Sequence, residues 1–120
     1  MFTDLSLDPR LLRSVQHLGF VKPTEIQQEA IPAVMVGRDL IVSSQTGSGK
    51  TLAYLLPMMQ RLLKSRPLSK RDARALILAP TRELVSQIND NLEVFTKGTA
   101  VKIAMVVGGA SLFKQAERLK

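Results

Sequence analysis

Hydrophobic positions along this chain change their period several times. From residue 9 to 18 the apolar residues Leu11, Leu12, Val15 and Leu18 recur at helical spacing on one face. Asp8 stands where an N-cap belongs, Pro9 at the first helical position, and Gly19 ends the run. Thr24 opens a second predicted helix that runs through Val36, with an interruption expected near Pro32 and a stop at Gly37. Residues 39–43 then hold Leu40, Ile41 and Val42 in a row, the pattern of a strand buried on both faces of a parallel sheet. Residues 75–79 and 101–107 repeat that pattern, and Val106 and Val107 are assigned to the core. Between these runs, residues 50–64 and 81–97 have helical length and spacing, with Leu52, Leu55, Leu56, Met59 and Leu63 lining one face of the first.

Two helices followed by strand, helix, strand, helix, strand specify an α/β fold. Its parallel sheet is expected to carry helices on both faces, joined by right-handed crossovers, with ligand loops at the carboxyl ends of the strands. With 120 residues, one domain is the ceiling. Apolar (45%) and charged (22%) fractions sit at globular values, so disorder and fibrous classes are set aside. The sequence shows no repeat and no low-complexity tract. Residues 61–74, with six Lys or Arg and one Asp, read as a surface loop, either a freely varying connection or an RNA contact.

Charge points toward polyanions: 17 basic against 10 acidic residues give a formal +7 and a pI near 10.3. Composition alone fits a basic protein charged for solubility equally well. The absence of cysteine excludes disulfides and thiolate metal sites. The N-terminus lacks the basic start and apolar stretch of a secretory signal, and no apolar run is long enough to span a bilayer. A soluble, cytoplasmic protein without membrane contact is the expectation. His17 lies away from every motif and receives no role.

Residues 44–51, Ser44-Gln45-Thr46-Gly47-Ser48-Gly49-Lys50-Thr51, follow the first predicted strand and lead into a helix. The last three positions match the P-loop pattern, and Ser44 stands where its first Gly belongs. Gly47 and Gly49 permit backbone dihedrals that let successive N–H groups converge on phosphate oxygens. The helix start adds unpaired donors and a positive dipole end, Lys50 supplies a charge for the β and γ phosphates, and Thr51 offers a hydroxyl to Mg²⁺. A plain Gly-Ser turn is the alternative, but it requires neither Lys50 nor Thr51. Nucleoside triphosphate is the implied ligand.

Three further segments accompany this loop. Residues 19–27 read Gly19-Phe20-Val21-Lys22-Pro23-Thr24-Glu25-Ile26-Gln27, residues 80–87 read Pro80-Thr81-Arg82-Glu83-Leu84-Val85-Ser86-Gln87, and Gly108-Gly109 follow the third predicted strand. Taken singly, Gly19 is a helix C-cap, Thr24 an N-cap, Gln27 an exposed polar residue and the paired glycines a turn. Thr81 and Arg82 are either a phosphate site at a helix start or an N-cap beside an Arg paired to Glu83 or another acid. Together, in this order, the four segments resemble the DEAD-box family of ATP-dependent RNA helicases (superfamily 2, bacterial type). Residues 19–27 look like its Q motif, which takes an aromatic residue seventeen positions before its Gly; Phe2 stands there, since 19 minus 2 is 17. Residues 44–51 look like motif I, residues 80–87 like motif Ia with Val85 where Ala is usual, and Gly108-Gly109 like the family's paired glycines.

The resemblance covers essentially the whole chain and implies a RecA-like P-loop NTPase fold. It implies ATP rather than GTP: the Gln27 amide matches the N6 donor and N7 acceptor of adenine. Phe2 would stack on the base, Phe20 and the backbone near Lys22 would touch it, and Thr24 and Gln27 would tie this segment to the phosphate loop. Ser44, Gln45, Thr46, Gly47, Ser48 and Gly49 would hold the phosphates, with Lys50 and Thr51 in catalytic roles and Thr51 on Mg²⁺. Pro80, Thr81, Arg82, Gly108 and Gly109 would contact an RNA backbone with weak sequence preference. The family's Asp-Glu-Ala-Asp and Ser-Ala-Thr motifs are not in this sequence, nor is its second RecA-like domain, which would carry the arginine finger in cis. The expectation is therefore the N-terminal portion of a first RecA-like domain, binding nucleotide with negligible turnover alone. A whole protein containing it would separate short RNA duplexes or remodel RNA–protein complexes. Two readings from other classes stay open: a P-loop ATPase acting on DNA or protein, and a non-enzymatic ATP- or RNA-binding module.

Overall fold

The computed structural model describes residues 2–45, 49–64 and 73–108. The chain forms two compact units, Met1–Ser65 and Arg66–Lys120.

In the first unit, a 3-10 turn at Phe2–Leu5 precedes helices α1 (Pro9–His17), α2 (Glu25–Met35) and α3 (Lys50–Lys64). The sequence accounts for each boundary. Asp8 caps α1 by accepting from the Arg10 N–H at 2.8 Å, with Pro9 at the first helical position, where its missing N–H is not needed. Both α1 and α2 end in a glycine at positive φ, Gly19 at 86° and Gly37 at 91°. At each end two N–H groups turn back on the last carbonyls: Gly19 to Gln16 and Phe20 to Val15, then Gly37 to Val34 and Arg38 to Ala33. That paired closure needs a left-handed residue, which glycine supplies without a Cβ penalty.

Pro32 does not interrupt α2, contrary to expectation. Its ring lies on the exposed side, while Ala30 and Ile31 are buried on the other, so the helix loses one backbone bond without losing its packing. Helices α2 and α3 make the main contact of the unit, α1 packs on α3, and the 3-10 turn packs on α2. The core takes Leu11 and Val15 from α1, Ile31 from α2, and Leu52, Leu55, Leu56 and Met59 from α3, the faces the helical spacing predicts. Burial of side chains such as Leu11, Ile31 and Leu55 contributes about 1.5–3 kcal/mol each. Arg61 and Lys64, expected in a basic loop, belong to the last turn of α3; residues 65–72 of that stretch lie outside the described residues.

The second unit holds α4 (Arg82–Thr96), capped by Thr81, whose hydroxyl accepts from the Leu84 N–H at 3.1 Å. Ile88, Leu92 and Phe95 form its buried stripe.

The three apolar runs differ from expectation. Among the described residues none of 39–43, 75–79 or 101–107 is paired in a β-ladder, and Ile41, Leu76, Leu78 and Val106 are exposed. A strand exists only through hydrogen bonds to a neighbour, and burial on both faces also requires helices above and below. The apolar run encodes a capacity for that environment, and the described residues of neither unit supply it to their own segments.

Candidate functional site

The N-terminus of α2 and the N-terminus of α3 meet at Gln27. Thr24 and Gln27 form a reciprocal cap: the Thr24 hydroxyl accepts from the Gln27 N–H at 3.4 Å, and the Thr24 N–H donates to Gln27 Oε1 at 2.9 Å. The other end of the same amide reaches the phosphate loop, where Gln27 Nε2 donates to the Gly49 carbonyl at 3.1 Å. Gln27 is 2% exposed, so the reading of it as an exposed polar residue is corrected. The reason is tertiary: its partner lies 22 positions away, and the bonds at both ends of the amide offset much of the cost of burying it.

Gly49 has a second reason to be glycine besides its φ of 91°. A Cβ there would stand 2.5 Å from Gln27 Nε2 and 2.9 Å from Thr24 Oγ1, closer than packed atoms approach. The Gln27 segment and the phosphate loop are thus docked through a space that only glycine leaves open.

Lys50 opens α3, and its ammonium donates to the Ser44 carbonyl at the other end of the loop. Thr51 follows on the same turn, half-buried. Gln45 is exposed, and Thr46, Gly47 and Ser48 lie outside the described residues. No group of three or more His, Cys, Asp or Glu that could hold a metal occurs among the described residues.

The remaining expected base contacts are split. Phe20 (43%) and Lys22 are exposed on the link before α2, available to a ligand. Phe2 is 4% exposed, its ring taken into the core beside α2.

In the second unit, Pro80, Thr81 and Arg82 are exposed at the start of α4. Arg82 has no ion-pair partner among the described residues, Glu83 included. Gly108 is exposed, and a Cβ on it would meet nothing within 4 Å, so packing within the described residues does not explain it. Gly109 lies outside them.

Sequence reasoning missed Gln60. It is 3% exposed on the apolar face of α3, and its Oε1 accepts from the Asp8 N–H at 2.6 Å, across 52 residues. The available signal was a Gln at core spacing, one turn after Leu56 and directly after Met59.

Comparison with known proteins agrees with the motif order. The DEAD/DEAH box helicase family model matches residues 24–120. The chain is 44% identical to the ATP-dependent rRNA helicase RRP3 of Encephalitozoon cuniculi, covering 98% of this chain and 28% of the relative. It is 45% identical to the ATP-dependent RNA helicase SrmB of Escherichia coli, covering 97% of this chain and 26% of the relative. Among solved structures, the RNA helicase Prp28 of Chaetomium thermophilum bound to ADP superposes with a TM-score of 0.83 at 43% identity, covering 93% of this chain and 28% of that one. The chain thus spans about a quarter of the length of these relatives. The family match over residues 24–120 and the relatives' identity over nearly the whole chain show that this chain belongs to the DEAD/DEAH box helicase family.

Proposed function

We propose that this chain is the nucleotide-binding start of an ATP-dependent RNA helicase, the N-terminal portion of its first RecA-like domain. The observation that carries the reading is the double engagement of Gln27, whose amide closes the Thr24 cap and holds the Gly49 carbonyl of the phosphate loop. An amide has two N–H donors and a carbonyl with two lone pairs. One N–H and one lone pair are used in these bonds, and the remaining pair is what the N6 and N7 edge of adenine takes. Guanine presents acceptors at both places and cannot satisfy it. Since Gln27 is 2% exposed, a base reaches that edge by displacing what covers it.

The roles follow from position. Phe20 and Lys22 flank the base, and Phe2 stacks on it once its ring is uncovered. Residues 44–51 cradle the triphosphate, with Lys50 exchanging the Ser44 carbonyl for phosphate oxygens and Thr51 directed at Mg²⁺. Bound Mg²⁺ supplies charge neutralisation at the β and γ phosphates. Pro80, Thr81, Arg82, Gly108 and Gly109 receive an RNA backbone: a guanidinium with no ion-pair partner among the described residues and the N–H groups at the start of α4 fit phosphate, and the open space over Gly108 admits a strand closely. The whole protein supplies the acidic motif and second domain that turnover needs. The relatives named ATP-dependent RNA helicases support this reading.

The test is RNA-stimulated ATP hydrolysis and separation of a short RNA duplex by the intact protein. Lys50→Ala should abolish both, and Arg82→Ala should reduce RNA stimulation while sparing nucleotide binding. Hydrolysis indifferent to RNA would sink the helicase reading, and stimulation by DNA alone would favour the DNA-directed alternative.

A further inference from the structure

Helix α3 carries the phosphate loop at its start, and two side-chain amides tether other elements to it. Gln27 reaches its first turn from α2 through the Gly49 carbonyl. Gln60, on its last third, accepts from the Asp8 N–H at the N-cap of α1. Residues 19–27 lie between α1 and Gln27, so the adenine-reading segment is strung between two anchors on a single helix.

Asp8 is well placed for this. Its carboxylate is held by the Arg10 N–H at 2.8 Å and the Arg10 guanidinium at 3.1 Å, which fixes the cap and aims the Asp8 N–H at α3. Gln60 is 3% exposed among apolar neighbours, a costly place for an amide unless a specific partner requires it. Leucine would satisfy the core equally well at that position, but only a residue with an acceptor at the end of a three-atom reach holds the Asp8 N–H. The bond spans 52 residues and joins the phosphate-binding helix to the chain that leads into residues 19–27.

We infer that Gln60 is a positioning residue for nucleotide specificity: its bond to the Asp8 amide fixes where the adenine-reading segment sits over the phosphate-binding helix. It touches no ligand and acts through Asp8 and α1. The inference rests on the adenine reading of residues 19–27 proposed above and assigns that reading a determinant outside the motif.

The experiment measures binding of ATP, GTP and inorganic tripolyphosphate to the intact protein carrying Gln60→Leu, Gln60→Glu or Gln27→Leu. Loss of one buried hydrogen bond should weaken ATP about two- to tenfold in Gln60→Leu. GTP and tripolyphosphate should stay within about twofold of the wild-type values, because the phosphate loop keeps its own contacts. Gln60→Glu, which keeps an acceptor, should restore ATP binding. Unchanged ATP affinity in Gln60→Leu, or equal weakening of all three ligands, overturns the inference, the second because it marks a purely structural role. Should Gln60→Leu fail to fold, hydrogen exchange at the wild-type Asp8 amide decides. Protection that rises with ATP and not with tripolyphosphate supports the inference, and protection indifferent to the base overturns it. Gln27→Leu separates the two claims. If it leaves the ATP to GTP ratio intact, the adenine reading has failed; if it collapses the ratio while Gln60→Leu preserves it, only the role of Gln60 has failed.

Discussion

Replacing Gly49 by alanine places a methyl group where the structure leaves no room. Two costs are independent of each other. The residue sits at φ 91°, where an L side chain costs about 1–2 kcal/mol. The new Cβ would also stand 2.5 Å from Gln27 Nε2, so the amide must swing away and surrender its bond to the Gly49 carbonyl. Leaving that buried amide unpaired costs about 1–3 kcal/mol more. Gly49→Ala should therefore destabilise the protein by roughly 2–5 kcal/mol, read as a lower urea midpoint with unchanged slope. A double-mutant cycle with Gln27→Ala isolates the second cost, since the clash with Gln27 and its bond both vanish when Gln27 is truncated, while the φ penalty and the 2.9 Å approach to Thr24 Oγ1 stay. The account predicts that the double mutant is less destabilised than the two single changes summed, by about 1–3 kcal/mol. Additivity within about 0.5 kcal/mol would refute the docking of the Gln27 amide on Gly49, even if Gly49→Ala alone is severe.

Two other perturbations follow from the helix ends. The Arg10 guanidinium and N–H beside Asp8 hold its carboxyl below the usual carboxylate range. A carboxyl whose folded pKa is depressed stabilises the protein above its unfolded pKa, and that contribution is lost as pH falls through the folded value. Wild-type stability should therefore drop below about pH 4 by an amount that Asp8→Asn removes, with urea midpoints across an acid series as the measurement. Thr81→Ala, which deletes the acceptor for the Leu84 N–H, should cost about 1 kcal/mol by the same denaturation, and Thr81→Ser should recover most of it.

Much of the helical half of the fold was legible because its signals are local. Asp8, Thr24 and Thr81 mark the starts of α1, α2 and α4, Gly19 and Gly37 mark two ends, and the buried positions of α1 and α3 fall on the predicted stripes. What escaped is non-local. Leu40, Ile41 and Val42 read as a buried strand because strands have that composition, yet pairing depends on partners that a run of residues does not name. Gln27 taken singly read as exposed because its partner is 22 residues away, and only the family resemblance tied it to the phosphate loop; Gln60 carried no such signal, its partner being 52 away. Phe2 illustrates the same limit: spacing to Gly19 marked it for a base, while its packing beside α2, which buries the ring, depends on tertiary contacts. The phosphate loop is read from chemistry alone, since Lys50 and Thr51 are needed together by a triphosphate and not by a turn.

The most direct test of the central claim is calorimetric titration of ATP and GTP, with Mg²⁺, into the wild-type protein and Lys50→Ala. Loss of a charge-assisted bond to phosphate should weaken ATP by at least about tenfold in Lys50→Ala. In the wild type, ATP should bind at least about tenfold more tightly than GTP, because guanine cannot pair with the free edge of the Gln27 amide. Equal affinity for the two nucleotides, or wild-type ATP binding by Lys50→Ala, would contradict the account.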